Sequence, residues 1–572
     1  MSESGVSDHS EQGTGPSKSS SLIPLPPFKP WGLAIGAGAT VPLALQPWGM
    51  PWFLPISFAV LAWALRGASI GKALWLGWLF GLAVEVFGLP WIATTVYRYL
   101  SIFVLEDPDA GLAAAAAGAA ILVGAPLAAI GWGLCCASIP VCPPRLWMRA
   151  VWAGICFMLL EAYWPRLFQW TLGACYATED PSGGWLLLQW FGVEETVLLT
   201  VAAGFLAAGA FANGRPVATD RWLLVPAILL MALSILPLPA AQPAPSSGDS
   251  ASEHLTISIV QPAIPLQMRH GREGSDLQLK KIRQLIEIAS DGGEAGAPSL
   301  VLLPEGILPQ AWKIEWLQQW SQDWLERPTV IGLTHIEPQG YSNAVALLVP
   351  GPETVEIQIG RKKELVPFGE TVPFGEFLSS IGLSVPVTEL VPGTEAVVFT
   401  ADDHFPPLGI SICYEGILAE SAAETVHQGA RWHANLTEDL WYGDWLEPAQ
   451  HLQIQRSRAI ENGLVWLRSV NAGISAVIDP RRSGYRSIVA ARSWSDGTWS
   501  RWQPRDDAGQ LALPAGAVGI LQVQIQPDFS PAGKAPLALP SSTPLLLIYC
   551  LLALFWGQLK LFQRSADRSS RT

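Results

Sequence analysis

Apolar positions are distributed very unevenly along this chain. Residues 31–239 form a series of long Leu/Ala/Val/Trp runs, residues 252–530 mix apolar and polar positions as a globular domain does, and 541–562 is one further apolar run. Tested against the roughly 20 apolar residues that cross a bilayer, the pattern predicts about eight transmembrane helices, near 31–47, 51–65, 73–96, 110–136, 146–164, 190–213, 221–239 and 541–562. The first two are short and could form one helical hairpin, with a re-entrant or buried segment as the alternative for either. The resulting organisation is a polar tail (1–30), a seven-span bundle (31–239), a linker (240–253), an extramembrane domain (254–530), a second linker (531–540), a final span (541–562) and a short tail (563–572).

Within the domain the periodicity alternates between two and 3.6. Strands are expected at His254–Val260, Leu300–Leu303, Thr329–Thr334, Ala344–Val349, Val355–Ile359, Leu408–Ile412, Trp432–Asn435, Leu464–Ser469 and Ile474–Ile478. Helices are expected at Ser275–Ser290, with Ile282, Leu285, Ile286 and Ala289 on one face, and at Ile314–Leu325, Leu418–Gln428 and Glu447–Glu461. Strands interleaved with amphipathic helices predict an α/β sandwich of helices over sheets.

Composition agrees with a membrane setting: half the residues are hydrophobic, 15% are charged and mean hydropathy is positive. Short loops carry Arg66 and Lys72, then Arg145 and Arg149, then Arg215 and Arg221, whereas the alternate loops hold Arg98 and Arg166 beside Glu106, Asp107, Asp109, Glu179 and Asp180. Basic loops stay in the cytoplasm. Both tails are therefore expected inside and the domain outside the cytoplasmic membrane. The first thirty residues, rich in Ser, Gly and Pro, read as a disordered tail and not a cleaved leader. The acids behind the net charge of −13 are dispersed, which suits a soluble outer domain. No glycine loop for phosphate, zinc cluster or basic aromatic stripe is present, so no cofactor, metal or nucleic acid is implied. The acids near span interiors or ends are Glu85, Glu161, Glu194 and Glu195, without the paired buried charges of an ion pathway.

Of seven cysteines only Cys413 falls in the large domain. A lone thiol outside the cytoplasm is either a small buried hydrophobe or a reactive group. Its surroundings favour reactivity, because Pro304-Glu305 follows one strand, Lys362 another, and Cys413-Tyr414-Glu415 a third. Carboxylate, ammonium and thiol supply a base, an oxyanion partner and a nucleophile for acyl transfer.

The strings Val301-Leu302-Leu303-Pro304-Glu305, Lys362 with Leu365-Val366-Pro367-Phe368-Gly369-Glu370, and Ile412-Cys413-Tyr414-Glu415 resemble the nitrilase superfamily, and specifically its membrane branch, the apolipoprotein N-acyltransferases. Phe168-Gln169-Trp170, Gln450-His451, Arg458-Ala459 and the run Arg468–Ser475 extend the likeness over nearly the whole chain. The resemblance implies a nitrilase-like αββα sandwich with Glu305 as general base, Lys362 on the oxyanion and Cys413 as nucleophile. Glu370 then orients Lys362 or receives a proton from the incoming amine, while Tyr414 and Glu415 shape the acyl pocket or only support it. Loops around Phe374–Leu383 and Trp441–Trp445 would cover the cleft. The implied partners are a phospholipid acyl donor, a diacylated apolipoprotein acceptor and the bilayer, served by a monomer at the bacterial inner membrane. Departures from the family pattern stand at Gly360, Glu364, His270 and Glu438 and bear on how substrate is gripped. A tethered amidase or nitrile hydrolase using the same triad, and a transporter or scaffold with an inactive outer domain, are the competing readings.

Overall fold

The computed structural model describes residues 29–101, 110–142, 145–166, 168–179, 182–212, 215–216, 222–237, 255–265, 272–291, 297–373, 375–380, 389–401, 404–443, 445–480, 488–495, 498–502 and 511–525. The final span 541–562, residues 1–28 and 563–572 of the tails, both linkers and His270 lie outside them, as do Phe374 and residues 381–383 of the expected cleft loop.

Nine helices make up the bundle among the described residues: α1 (Pro30–Thr40), α2 (Phe53–Ala64), α3 (Ile70–Gly88), α4 (Trp91–Tyr99), α5 (Ala110–Ser138), α6 (Leu146–Tyr163), α7 (Gly183–Phe191), α8 (Val193–Gly209) and α9 (Val225–Ile235). A two-residue-per-strand hairpin, β1 (Phe211–Ala212) and β2 (Arg215–Pro216), follows α8. Three helices are long and apolar enough to cross a membrane, or four if the bent pair α7–α8 counts as one span. The described residues therefore do not reach the expected count of eight.

Local chemistry divides or shortens the apolar runs. The run at 73–96 divides at Leu89-Pro90, because proline cannot donate its amide and disfavours helix at the preceding residue; Leu89 leaves the helical region at φ −125°, ψ 40°. The run at 190–213 breaks at Gly192, whose φ of +95° is open to glycine and hostile to other residues, and α7 and α8 meet there at 116°. With 11 and 12 residues, α1 and α2 extend roughly 17 Å at 1.5 Å per residue, short of the roughly 30 Å hydrocarbon layer.

Paired buried charge does occur in the bundle, contrary to the reading of the spans. Arg166 donates to Glu161 at 2.9 Å, Glu161 also accepts from the Leu172 amide at 2.8 Å, and Trp132 Nε1 donates to Glu85 at 3.1 Å. The cause is the non-helical stretch after α6, whose backbone and side chains need internal partners where water is excluded.

The domain is an αββα sandwich. One sheet runs in the order β15 (Thr498–Trp502), β14 (Ile488–Ser495), β17 (Gly519–Ile525), β3 (Leu255–Gln261), β4 (Leu300–Leu302), β6 (Thr329–Glu337), β7 (Gly340–Pro350) and β8 (Val355–Arg361), with β5 (Ala311–Trp312) beside β6. The other runs β16 (Leu511–Leu513), β13 (Ser475–Ile478), β12 (Trp466–Val470), β11 (Trp432–Thr437), β10 (Phe405–Ile412) and β9 (Val397–Ala401). Each sheet has a parallel heart, β3–β4–β6 in one and β10–β11–β12 in the other.

Alternation along β3 sends Leu255, Ile257 and Ile259 between the sheets, against Leu408, Ile410, Ile412, Ala434 and Leu436. Val260 faces the other way, onto Ile282, Leu285, Ile286 and Ala289 of α10 (Arg272–Asp291). That helical face is the one the sequence predicts. Helix α11 (Ile314–Ser321) lies on the same side, with Leu317 in that cluster. A short helix, α12 (Gly375–Ser380), follows β8. On the far sheet, α13 (Ala419–His427) and α14 (Glu447–Asn462) cover Trp466, Ala476 and Ile478.

Helix α14 also joins the domain to the bundle. Trp91 Nε1 donates to Gln450 Oε1 at 3.0 Å, Gln450 Nε2 donates to the Gly88 carbonyl at 3.0 Å, and the Gln46 amide donates to Gln453 Oε1 at 2.9 Å. Arg456 donates to the Ala177 carbonyl at 3.0 Å and Arg458 to Glu194 at 2.8 Å. A strongly polar helix is thus buried on nearly every side, because its amides and guanidiniums find partners on both layers.

Candidate active site

The three expected residues stand at the ends of three strands, and the folding of each end is local. After β4 the chain turns through Pro304-Glu305-Gly306, with Gly306 at φ +53°. The turn lies directly on Gly332 of β6, where a Cβ would come within 2.4 Å of the Pro304 carbonyl. Only glycine permits that crossing, which aims the buried Glu305 carboxylate inward. Lys362 follows β8 and is buried to 1% exposure. Cys413 follows β10, opens a 3-10 turn (Cys413–Ile417), and holds φ at +51°. A β-carbon residue in that region carries backbone strain, which persists where surrounding contacts over-determine it. Here Asn435 Nδ2 donates to the Cys413 carbonyl at 3.1 Å and to the Ser411 carbonyl at 3.2 Å, with Gln455 donating to Asn435 Oδ1 at 2.7 Å.

These ends converge. Lys362 Nζ donates to Glu305 at 3.3 Å and to Glu370 at 3.0 Å. Asn343, on β7, donates to both carboxylates, at 2.7 Å to Glu305 and 2.6 Å to Glu370. The Val366 amide donates to the other Glu370 oxygen at 2.9 Å. Cys413 faces the same charges: burial and Glu305 push its thiol well above the usual range, against a weaker opposing pull from Lys362. Burial alone would lower the Lys362 ammonium, but Glu305, Glu370 and Cys413 outweigh it and raise the group above an ordinary lysine. The resting site therefore holds a protonated thiol and a fixed cation.

Tyr414 and Glu415 differ in what they touch. Tyr414 packs into the hydrophobic cluster shared with the bundle, and its hydroxyl is pushed up to about 12 by burial and Glu364. Glu415 accepts from the amides of Ile412 at 2.7 Å, Lys363 at 2.7 Å and Glu364 at 3.1 Å. Its carboxylate thus ties the residue before Cys413 to the two residues after Lys362. Of the departures, Gly360 is packed under β9, where a Cβ would fall 2.3 Å from Val397, so it bears on sheet packing. Glu438 is a buried brace that accepts from the Leu440 amide at 3.0 Å and from Asn471 at 2.9 Å. Glu364 is solvent-exposed.

Sequence reasoning missed Asn343 and a polar network below Cys413. Thr437 Oγ1 donates to Asp439 Oδ1 at 3.3 Å and lies in hydrogen-bonding reach of the Cys413 sulfur. Asp439 accepts from Arg468 at 2.5 Å and pairs with His451 at 3.2 Å. Burial would raise the Asp439 carboxyl, but Arg468 and His451 outweigh it and hold the group at about 2. Asp439, Glu447 and His451 present ligand atoms within 4.8 Å of one another, yet the Arg468 guanidinium already supplies positive charge there. The available signal was His433, Asn435 and Thr437 at alternate positions of β11, polar residues that an apolar core strand would not carry.

Residues 257–498 match the carbon-nitrogen hydrolase family. An apolipoprotein N-acyltransferase from Rhodopseudomonas palustris is 28% identical over 472 residues, covering 78% of this chain and 85% of that one. One from Rhizobium rhizogenes is 31% identical over 497 residues, covering 79% and 86%. The chain belongs to the apolipoprotein N-acyltransferase family. A third member, from Bordetella bronchiseptica, is 28% identical over 578 residues and covers 92% of this chain and 96% of its own. Among solved structures, Saccharomyces cerevisiae Nit3 of the nitrilase superfamily aligns at a TM-score of 0.33 with 17% identity, over 49% of this chain and 93% of that one. Membership in the apolipoprotein N-acyltransferases makes this an acyltransferase and disfavours the transporter and scaffold readings. Bacterial relatives and apolar helices together point to the inner membrane.

One consequence of the buried strand is a pH effect on stability. Burial holds the His433 imidazole down at about 3, while Thr425 at 3.2 Å, Ser411 at 3.0 Å and a stacked Trp466 enclose it. Below the usual histidine value of about 6.5 the unfolded chain takes up a proton that the folded chain refuses. Stability therefore falls with acidification between about 6.5 and about 3, by a few kcal/mol in all at 1.36 kcal/mol per unit. Melting temperature measured in detergent across that window is expected to drop less steeply in His433→Gln; parallel curves would remove His433 as the cause.

Proposed function

We propose that the protein transfers a fatty acyl chain from a membrane phospholipid to the free α-amine of the N-terminal diacylglyceryl-cysteine of apolipoproteins, through a thioester on Cys413. The convergence of Glu305, Lys362 and Cys413 beside a membrane bundle is the observation that carries this reading. Glu305 takes the thiol proton as sulfur attacks the ester carbonyl. The oxyanion forms against the Lys362 ammonium and backbone donors, and the C–O bond then breaks with Glu305 returning the proton to the leaving lysophospholipid. In the second half the amine attacks the thioester, its proton passes to Glu305, and the C–S bond breaks to give an amide and the regenerated thiol. Glu370 and Asn343 hold Lys362 and Glu305 in register throughout.

The charge distribution of the loops supports placing this domain on the extracytoplasmic side, in reach of lipid substrates that arrive by lateral diffusion. The helix α14 docking keeps the cleft at the bundle surface, and a dry cleft protects the thioester from hydrolysis. The test is mass spectrometry of purified protein incubated with phospholipid. An acyl mass is expected on the peptide containing Cys413 and is expected to vanish when a diacylated lipopeptide with a free amine is added, with equimolar triacylated product. An adduct that maps elsewhere, or one that the amine does not discharge, removes the two-step mechanism.

A further inference from the structure

A buried hydroxyl stands beside the nucleophile, and the triad leaves it without a task. Strands β10 and β11 run parallel with Ile412 opposite Leu436, so the next residue of each, Cys413 and Thr437, leave the sheet side by side. His433, Asn435 and Thr437 share one face of β11 by strand alternation, and from that face Asn435 already donates to the Cys413 carbonyl at 3.1 Å. Thr437 comes next along it, is fully buried, and its Oγ1 lies in hydrogen-bonding reach of the sulfur. The Asn471 amide donates to the Thr437 carbonyl at 3.2 Å, and threonine is stiff at χ1. The oxygen is therefore fixed, and only the hydroxyl hydrogen turns.

That single hydrogen has two acceptors within reach. While the sulfur is neutral, as thiol or thioester, it is a weak acceptor, and the hydrogen goes to Asp439 Oδ1 at 3.3 Å. Asp439 does not depend on it, because Arg468 holds Oδ2 at 2.5 Å and His451 Nδ1 lies 3.2 Å from Oδ1. Turning the hydroxyl away costs this carboxylate the longest of three contacts, and the guanidinium still balances its charge. A sulfur that gains negative charge becomes a strong acceptor. It would otherwise face the Lys362 ammonium, which Glu305 and Glu370 already share.

We propose that Thr437 is a catalytic donor to the Cys413 sulfur, its hydroxyl turning from Asp439 onto that atom as it attacks the donor ester and again as it leaves the thioester. The proposal rests on the acyl-transfer reading above and adds no bond change to it. The thiol proton still passes to Glu305, and the Thr437 proton stays on its own oxygen throughout. Asp439 is then a positioning residue, which parks the hydroxyl while the sulfur is neutral.

The test begins with a reaction that needs no lipid. The full chain in detergent micelles is alkylated with iodoacetamide, and the peptide containing Cys413 is followed by mass. Removing one donor from the sulfur anion lowers the thiolate fraction about tenfold, of which roughly threefold returns because a more basic thiolate is the better nucleophile. Thr437→Val is therefore expected to react about threefold more slowly than the wild type, and Thr437→Ser, which keeps the hydroxyl, at close to the wild-type rate. In acyl transfer, discharge of preloaded Cys413 by a diacylated lipopeptide is expected to slow about tenfold in Thr437→Val, more than loading does, since the sulfur there departs with the negative charge. KM for either substrate is expected to stay the same. Should the valine variant melt early, Thr437→Ala read against Thr437→Ser makes the same comparison. A valine variant that alkylates and discharges at wild-type rates overturns the proposal, and so does a serine variant as slow as valine, which would make Thr437 a packing residue. Failure of phospholipid to load Cys413 in the wild type overturns the acyl-transfer reading instead, while the alkylation rates still decide whether Thr437 serves the sulfur.

Discussion

Glu305→Gln is expected to slow acylation of Cys413 by about a thousandfold or more, read as the rate of adduct formation in a single turnover. The thiol is held well above its ordinary pKa by burial and by Glu305, so no useful store of thiolate exists at neutral pH and the proton has to leave as the sulfur attacks. A positioned base contributes roughly 10²–10⁴ to such a step, and the upper part of that range applies where the thiol is this reluctant to ionise. Glutamine keeps the carbonyl oxygen that Asn343 contacts at 2.7 Å and nearly the same volume, so melting temperature should change little. A variant that folds and still loads at the wild-type rate would take Glu305 out of the reaction.

Lys362→Met is expected to abolish turnover to a similar degree, and for two reasons that can be separated. On the proposed mechanism it removes the cation facing the developing oxyanion, worth roughly 10²–10³ in comparable sites. It also leaves the Glu305 and Glu370 carboxylates, both within 3.3 Å of Nζ, without the charge that lets them stand together. Two like charges left facing each other repel, and Glu305 is no longer held in place to act as a base. Breaking a buried pair from one side costs about 3–5 kcal/mol, so the melting temperature should fall as well. In Lys362→Met/Glu370→Gln the repulsion is relieved: melting temperature is expected to recover while turnover stays lost. Recovery of both would mean that Lys362 serves only to neutralise its neighbours.

Much of the catalytic domain is legible in the sequence because its strands are short apolar runs ending in chemistry. β3, β4, β6, β10 and β11 begin or end within a few residues of where periodicity puts them, and the burial of Ile282, Leu285, Ile286 and Ala289 follows from helical spacing. The later strands β14 to β17 are not legible in the sequence: Arg492, Ser493 and Trp494 alternate too weakly to announce an edge hairpin, which tertiary pairing decides. The bundle was harder for a different reason. Hydropathy marks apolar runs but is blind to the stops within them, and Pro90 and Gly192 each divide one run into two helices with different directions.

At the site, the motif residues Glu305, Lys362 and Cys413 were legible and the residues that hold them were not. Asn343 sits one position before an apolar run and gives no local sign that it bridges two carboxylates from distant loops. Glu415 is legible in the sequence only as a neighbour of the cysteine. Its role as a clamp on the Lys363 and Glu364 amides depends on a loop about 50 residues earlier in the chain, and no spacing rule encodes that.

Helix α14 has a practical corollary. Gln450, Gln453, Arg456 and Arg458 reach lipid-side partners from a helix whose opposite flank supports Trp466 and Ile478. Excising the soluble half would strand two guanidinium groups and two amides on a freshly bared underside, with the bracing of Asn435 through Gln455 loosened from behind. Reactivity at the sulfur is accordingly a property of the whole chain in its lipid environment, and trimming it to a water-soluble core would dismantle the floor on which Cys413 rests.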